Sequence, residues 1–311
     1  MYLCVQELRD LAMSTLSNPI FQDATKARNW LEALLWPDGP VCGHCGTLNE
    51  ATAIAGRDGL YQCNSCRKQF TVMVGTVFER SHIPLNKWLM AAFLLCASKK
   101  GISAHQMHRM LGITYKSAWF MMHRLREAMK PGSNEPPLGG LGQTVEADET
   151  FIGNRAGVPL NKRPHNKIAV LSLVERKGRV RSFKIGTVSG KKVDPILFRN
   201  VDRKSRLVTD DANVYVHSLF AEHQTVSHSK GEYVRGDVTT NTVEGVFSVF
   251  KRGMIGTYQH CGEQHLDRYL AEFDFRYSNR TKLGVSDEAR TSIALKGIQG
   301  KRLTYRRTVQ A

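Results

Sequence analysis

The apolar positions of this chain change their spacing near its middle. Between residues 23 and 36 they recur at helical intervals: Ala27, Trp30, Leu31, Leu34 and Leu35 share one stripe, and Trp36-Pro-Asp-Gly-Pro40 ends it in a turn. From 41 to 75 the segments are short, β-rich and punctuated by glycine. Leu85 to Ser98 reads as an apolar helix opening after Pro84, and Lys99-Lys-Gly101 breaks it. Two further helices are predicted at about Ser103–Met110 and Thr114–Met129, before a Pro/Gly-rich linker that starts at Pro131. Beyond it, Val145–Ala147, Ile168–Val174, Val180–Ile185 and Arg206–Val208 read as strands. Helices fit Val193–Arg199, Asn213–Phe220, the amphipathic Glu244–Arg252 and the aromatic-rich His265–Arg280. From Lys296 to Arg307 the chain is basic, with no acid after Glu288.

Composition narrows the function. The 311 residues suffice for two or three domains, and 44 Lys+Arg against 28 Asp+Glu give a net charge of +16. Such an excess points to a polyanion, and nucleic acid fits better than an anionic membrane. The longest apolar run, Trp88 to Ala97, is too short to span a bilayer, and no basic flank precedes an apolar core at the N-terminus. A cytoplasmic protein is the expectation. The seven cysteines agree, because four stand in two close pairs while Cys4, Cys96 and Cys261 are scattered. That pattern suits metal ligation in a reducing compartment.

Three motifs carry chemistry. Cys42-x2-Cys45-x17-Cys63-x2-Cys66 offers four thiolates from two knuckles, the ligand set of a structural Zn²⁺ ribbon, with His44 as a bystander. Ile102 to Arg126 has a short helix, a Leu-Gly-Ile turn and a longer helix capped by Thr114, as in a helix-turn-helix. Lys116 and Ser117 near the start of the second helix, with Arg124 and Arg126 further along, are the expected DNA contacts. Trp119 suits the core better than base reading.

The third motif is a set of acids. Asp148 and Asp210 each end an apolar, β-rich stretch, and Glu244 opens a helical one. Lys251 follows Glu244 by seven residues, two helical turns on and so on the same face. Three carboxylates from separate elements in a basic protein suggest a site for two Mg²⁺ ions acting on phosphodiesters, with Lys251 reaching a phosphate. Asp210 is preferred to Asp211 because it directly follows the apolar stretch.

Taken together, these segments resemble bacterial insertion-sequence transposases of the DDE type, in the ISXO-type subgroup with an N-terminal zinc ribbon. Besides the ribbon, the resemblance rests on Gly75-Thr-Val-Phe-Glu-Arg80, Lys99–His105, Leu111–Lys116, Glu146-Ala-Asp-Glu-Thr150, Gly231–Asp237, Asn241-Thr-Val-Glu-Gly245 and Glu272-Phe-Asp-Phe-Arg-Tyr277. It implies an α/β chain with an RNase H-like catalytic domain, a mixed sheet flanked by helices, behind the ribbon and helix-turn-helix. It also implies binding to double-stranded DNA at terminal inverted repeats and at a target, Mg²⁺-dependent cleavage and strand transfer, and a homo-oligomer on DNA. In this subgroup Asn241 competes with Glu244 as third ligand; a carboxylate binds Mg²⁺ better than an amide, so Glu244 is expected. The implied layout is an N-terminal helical segment (1–40), ribbon (41–80), helix-turn-helix region (81–130), linker (131–143), catalytic domain (144–285) and basic tail (286–311). The rivals are a non-catalytic DNA-binding regulator derived from a transposase and an RNase H-type nuclease that cuts without joining.

Overall fold

The computed structural model describes residues 16–132, 134–154, 157–159, 166–215, 220, 222–227, 231–232 and 234–304. They form two compact units: one from the chain up to Lys130 together with Val285 onward, the other from Pro131 to Gly284.

In the first unit Asp23 caps α2 (Ala24–Leu35) by accepting the amides of Thr25 and Lys26, just after the single turn α1 (Pro19–Gln22). The predicted stripe turns inward at Ala27, Leu31 and Leu35. Trp36, at the end of α2, packs edge-on against Tyr61 and Phe70 of a small antiparallel sheet. That sheet is β1 (Ala51–Ala53), β2 (Tyr61–Cys63) and β3 (Gln69–Phe70). Helix α3 (Leu85–Ala97) is buried on most sides, as its unbroken apolar run requires. Helices α4 (Ala104–Leu111) and α5 (Tyr115–Ala128) meet at Gly112, which closes α4 in the left-handed conformation at φ 58°, and Thr114 caps α5.

The expected basic tail belongs to this unit. Residues 287–296 form helix α9, which buries Arg290, Thr291, Ala294 and Leu295. After it, the carbonyl of Ile298 accepts the amide of Val77, and the amide of Gly300 donates to the carbonyl of Gly75. Gly75-Thr-Val-Phe is therefore the edge on which the returning chain docks. Residues 305–311 and Cys4 lie outside the described residues.

The second unit is a mixed five-stranded sheet. In spatial order it runs β6 (Val180–Ile185), β5 (Ile168–Glu175), β4 (Thr144–Ile152), β7 (Arg206–Asp210) and β8 (Glu222–Val226). The first three strands pair antiparallel, whereas β7 and β8 run parallel to β4. Helix α6 (Gly190–Asn200) covers one face, where Val193 and Leu197 pack with Val145, Ala147, Leu171 and Leu207. Helices α7 (Asn241–Gly253) and α8 (Leu266–Ser278) cover the other, with Phe250, Leu270 and Phe273 over Ile168 and Val170, and Val243 and Phe247 beside Val174. A hairpin, β9 (Val234–Arg235) and β10 (Val238–Thr239), leads into α7. This is the RNase H-like arrangement of a mixed sheet flanked by helices.

Several boundaries differ from those read in the sequence. Asp148 stands in the middle of β4, not at its end, because pairing with β5 continues to Ile152. Of the helix expected at 213–220, the described residues hold one turn, Asn213–Tyr215. The linker is docked from Glu135 on: Arg179 and Arg181 donate to the carbonyls of Pro136 and Pro137, and Leu138 is fully buried.

Helix α8 turns one of its acids, Asp274, onto the sheet. Asp274 accepts the amide and hydroxyl of Ser182 at 2.6 and 2.7 Å, and burial pushes its carboxyl up from 3.8 to about 7. The folded state thus holds this proton more tightly than the unfolded chain. The stability it contributes is full below about pH 4 and is lost as pH rises through 7. Asp274→Asn should remove that slope, so its melting temperature relative to wild type should rise between pH 5 and pH 8. In the other unit, Leu295→Ala should cost about 2–5 kcal/mol, as for other fully buried leucines, and be seen as a lower denaturant midpoint.

Candidate active site

Register brings the two aspartates together. The parallel ladder between β4 and β7 ends at Glu146 opposite Val208. Two residues further along each strand stand Asp148 and Asp210, on the same face because side chains alternate with period two. Hydrogen bonding between the two strands has stopped by then, so the acids sit at a crevice beyond the pairing, where open α/β sheets receive ligands. That face lies under α7, which adds Glu244, Ser248 and Lys251 from successive turns.

Asp148, Asp210, Glu244 and Lys251 line one open cavity of about 440 Å³, together with Glu149, Thr150, Phe247 and Ser248. Asp148 accepts the Glu149 amide at 2.7 Å, Asp210 accepts the amide of Ala212 at 3.2 Å, and Glu244 accepts the Thr240 hydroxyl at 3.0 Å. Asn241 is exposed one turn before Glu244 and does not line the cavity. Asp211 points to Ser227, whose hydroxyl it accepts at 2.6 Å.

Glu149 was not anticipated from the sequence. As the neighbour of Asp148 on a strand it belongs to the opposite face, where the Tyr215 hydroxyl donates to it at 2.5 Å. Burial pushes its carboxyl up to about 7; the Tyr215 hydrogen bond works against this, and the charges of Asp148 and Asp210 add to it. Glu149 and Tyr215 tie β4 to the turn that follows β7. The acidic run Glu146-Ala-Asp-Glu was visible in the sequence, but nothing there revealed which acid would face which layer.

The sulfur atoms of Cys42, Cys45, Cys63 and Cys66 lie within 4.8 Å of one another, the only such group of potential metal ligands among the described residues. Cys42–Cys66 and Cys45–Cys63 are 3.7 Å apart. A tetrahedron with Zn–S bonds of 2.3 Å has edges of about 3.8 Å, so the cage fits Zn²⁺. Gly43 is required there because a Cβ would come within 2.5 Å of the Val74 carbonyl oxygen. His44 stays outside the cage, its ring nitrogen 3.1 Å from the carbonyl oxygen of Gln69.

The four residues expected to touch DNA divide into two pairs. Lys116 is exposed beside Tyr115 at the start of α5, and Ser117, half-buried, accepts the Thr114 hydroxyl. Arg126, by contrast, is 1% exposed. The Arg124 guanidinium is committed to the carbonyls of Glu79 and Leu303 and lies over Phe120. Both arginines turn into the unit because α5 buries its second half, which corrects their assignment as DNA contacts. Trp119 is half-buried with its ring edge-on to His123.

Residues 138–278 match the model of the ISXO2-like transposase domain, and residues 23–69 match that of the transposase zinc-ribbon domain. The chain carries an ISXO2-like transposase domain behind a transposase zinc ribbon. It is also 24% identical, over 279 residues, to an uncharacterized protein in transposable element ISH50 of Halobacterium salinarum; the match covers 82% of this chain and 91% of that protein. The ribbon match begins at residue 23 and so includes α2, in keeping with the packing of Trp36 on the small sheet. Among the described residues, no helix is long and apolar enough to cross a membrane.

The purified protein should contain one Zn²⁺ per chain. Cys63→Ser, at a fully buried ligand, should lose the metal and unfold the ribbon, since such sites fold with their ion. Metal analysis and the limited-proteolysis pattern of residues 41–75 check both outcomes.

Proposed function

We propose that this chain is an active DDE transposase, binding the terminal inverted repeats of its element with the first unit and cutting and joining DNA with the second. The observation that carries the reading is the cavity shared by Asp148, Asp210, Glu244 and Lys251, contributed by two strands and a helix. Carboxylates on separate elements around an open space are the hard oxygen donors that Mg²⁺ takes, with room left for water and a phosphodiester. Asp148, Asp210 and Glu244 are the residues that would hold two Mg²⁺ ions. Bound there, Mg²⁺ supplies Lewis acidity to the attacking water or 3′-hydroxyl and stabilises the leaving 3′ oxygen. Lys251 holds a phosphate of the transposon end with its ammonium group. Helices α4 and α5 form a helix-turn-helix, with Tyr115, Lys116 and Ser117 toward DNA. The net charge of +16 supports a polyanionic partner. Joining two ends in one complex calls for a homo-oligomer on DNA.

Asp148→Ala should reduce cleavage of terminal-repeat DNA at least a hundredfold with little change in binding, and Asp210→Ala should match it. Asp211→Ala should be mild. Glu244→Gln should be inactive in Mg²⁺, whereas Asn241→Ala should retain activity. A gel-based cleavage and strand-transfer assay reads all five variants. Cleavage without any joined product would instead favour a nuclease, and wild-type inactivity with intact DNA binding would favour a regulator.

A further inference from the structure

The start of α7 is capped from an unusual direction. Thr240 holds the cap position, but its hydroxyl makes no capping bond and donates instead to Oε1 of Glu244 at 3.0 Å. The amides of Thr242 and Val243, which a cap residue would ordinarily satisfy, donate to Oε2 of Glu146 on β4 at 2.8 and 3.0 Å. The Thr242 hydroxyl and Arg176 Nε complete the shell at Oε1, at 2.8 and 2.6 Å. Arg176 also donates to the carbonyls of Asp237 and Thr239, at 2.8 Å each, in the hairpin that feeds α7. Glu146 is fully buried.

We infer that Glu146 and Thr240 are positioning residues for Glu244, a reading that rests on the acidic cavity being a divalent-cation site. Glu146 and Asp148 stand two apart on one face of β4, so a single strand carries both the cap of α7 and an acid of the cavity. Fixing the first turn of α7 to Glu146 fixes Glu244 relative to Asp148. Because a carboxylate on another strand satisfies the amides, the Thr240 hydroxyl is released to hold one oxygen of Glu244. Arg176 balances the buried charge and keeps the incoming hairpin in register with the helix.

The test is Mn²⁺ binding to the full-length, DNA-free protein, followed by the loss of the free-ion electron paramagnetic resonance signal, alongside thermal melting. Asp148→Ala marks which ions occupy the cavity. Thr240→Val keeps shape and leaves the cap from Glu146 intact; it should weaken Mn²⁺ binding about tenfold, the scale of a hydrogen bond to a charged group, with melting unchanged. Thr240→Ser restores the hydroxyl and should recover the wild-type affinity. Glu146→Gln, which retains volume but not charge, should weaken binding as well. Wild-type affinity in Thr240→Val, with Mn²⁺ lost in Asp148→Ala, would overturn the role of Thr240 and leave the cation site standing. Equal weakening in Thr240→Val and Thr240→Ser would overturn it too, since the hydroxyl would then be irrelevant. A folded Glu146→Gln with wild-type affinity would overturn the role of Glu146. If wild type and Asp148→Ala bind Mn²⁺ alike, the cation site itself fails, and the positioning roles with it.

Discussion

The second unit is organised around a short piece of parallel pairing, Thr144 to Glu146 against Arg206 to Val208. Carrying that register two residues further would set Asp148 directly beside Asp210, and strands in a sheet lie only about 4.8 Å apart. Two carboxylates at that distance repel, and the hydrogen-bonded ladder is already over when they are reached. Where the pairing of β4 with β7 stops, a crevice takes the place of a continuous sheet. Helix α7 roofs it, bringing one more acid and one base.

The sheet face beneath α7 and α8 is accordingly built differently from the face beneath α6. Under α6, Val145, Ala147, Leu171 and Leu207 make an ordinary apolar interface. On the opposite face β4 presents Glu146, Asp148 and Thr150, β5 presents Ser172, and β6 presents Ser182, whose hydroxyl meets both Ser172 and Asp274. Buried polar groups of this kind are tolerated only when hydrogen-bonded, as Glu146, Asp148, Ser172 and Ser182 are. Glu272 is a further case: fully buried within α8, it pairs with Arg276 and accepts the Tyr258 hydroxyl.

Much of this was legible in the sequence, for identifiable reasons. Apolar spacing gave the helices at 24–35, 85–97, 115–128 and 241–253 to within a few residues. The four cysteines declared their cage, because paired knuckles at that spacing have few other uses. Asp210 does end an apolar strand, whereas Asp148 does not, since β4 continues through its own polar positions. Arg124 and Arg126 read as surface charge because composition does not report which side of a helix turns inward. The motif Glu272 to Tyr277, prominent as a likeness, is internal wiring: Glu272, Asp274 and Arg276 all bond within the unit. Strand β8 escaped notice because Glu222-His-Gln-Thr-Val226 has no apolar alternation, being an edge strand.

The return of the chain to its first unit has a consequence for biosynthesis. Residues up to 130 are made before the intervening domain, but the side chains of Leu295 and Ile298 and the backbone partners of Gly75 and Val77 come from beyond it. The unit that holds the ribbon is therefore finished only after the intervening domain has been translated. A message read short of residue 287 gives a protein whose ribbon-bearing unit lacks its closing helix, so the fold of that unit depends on translation having passed the intervening domain.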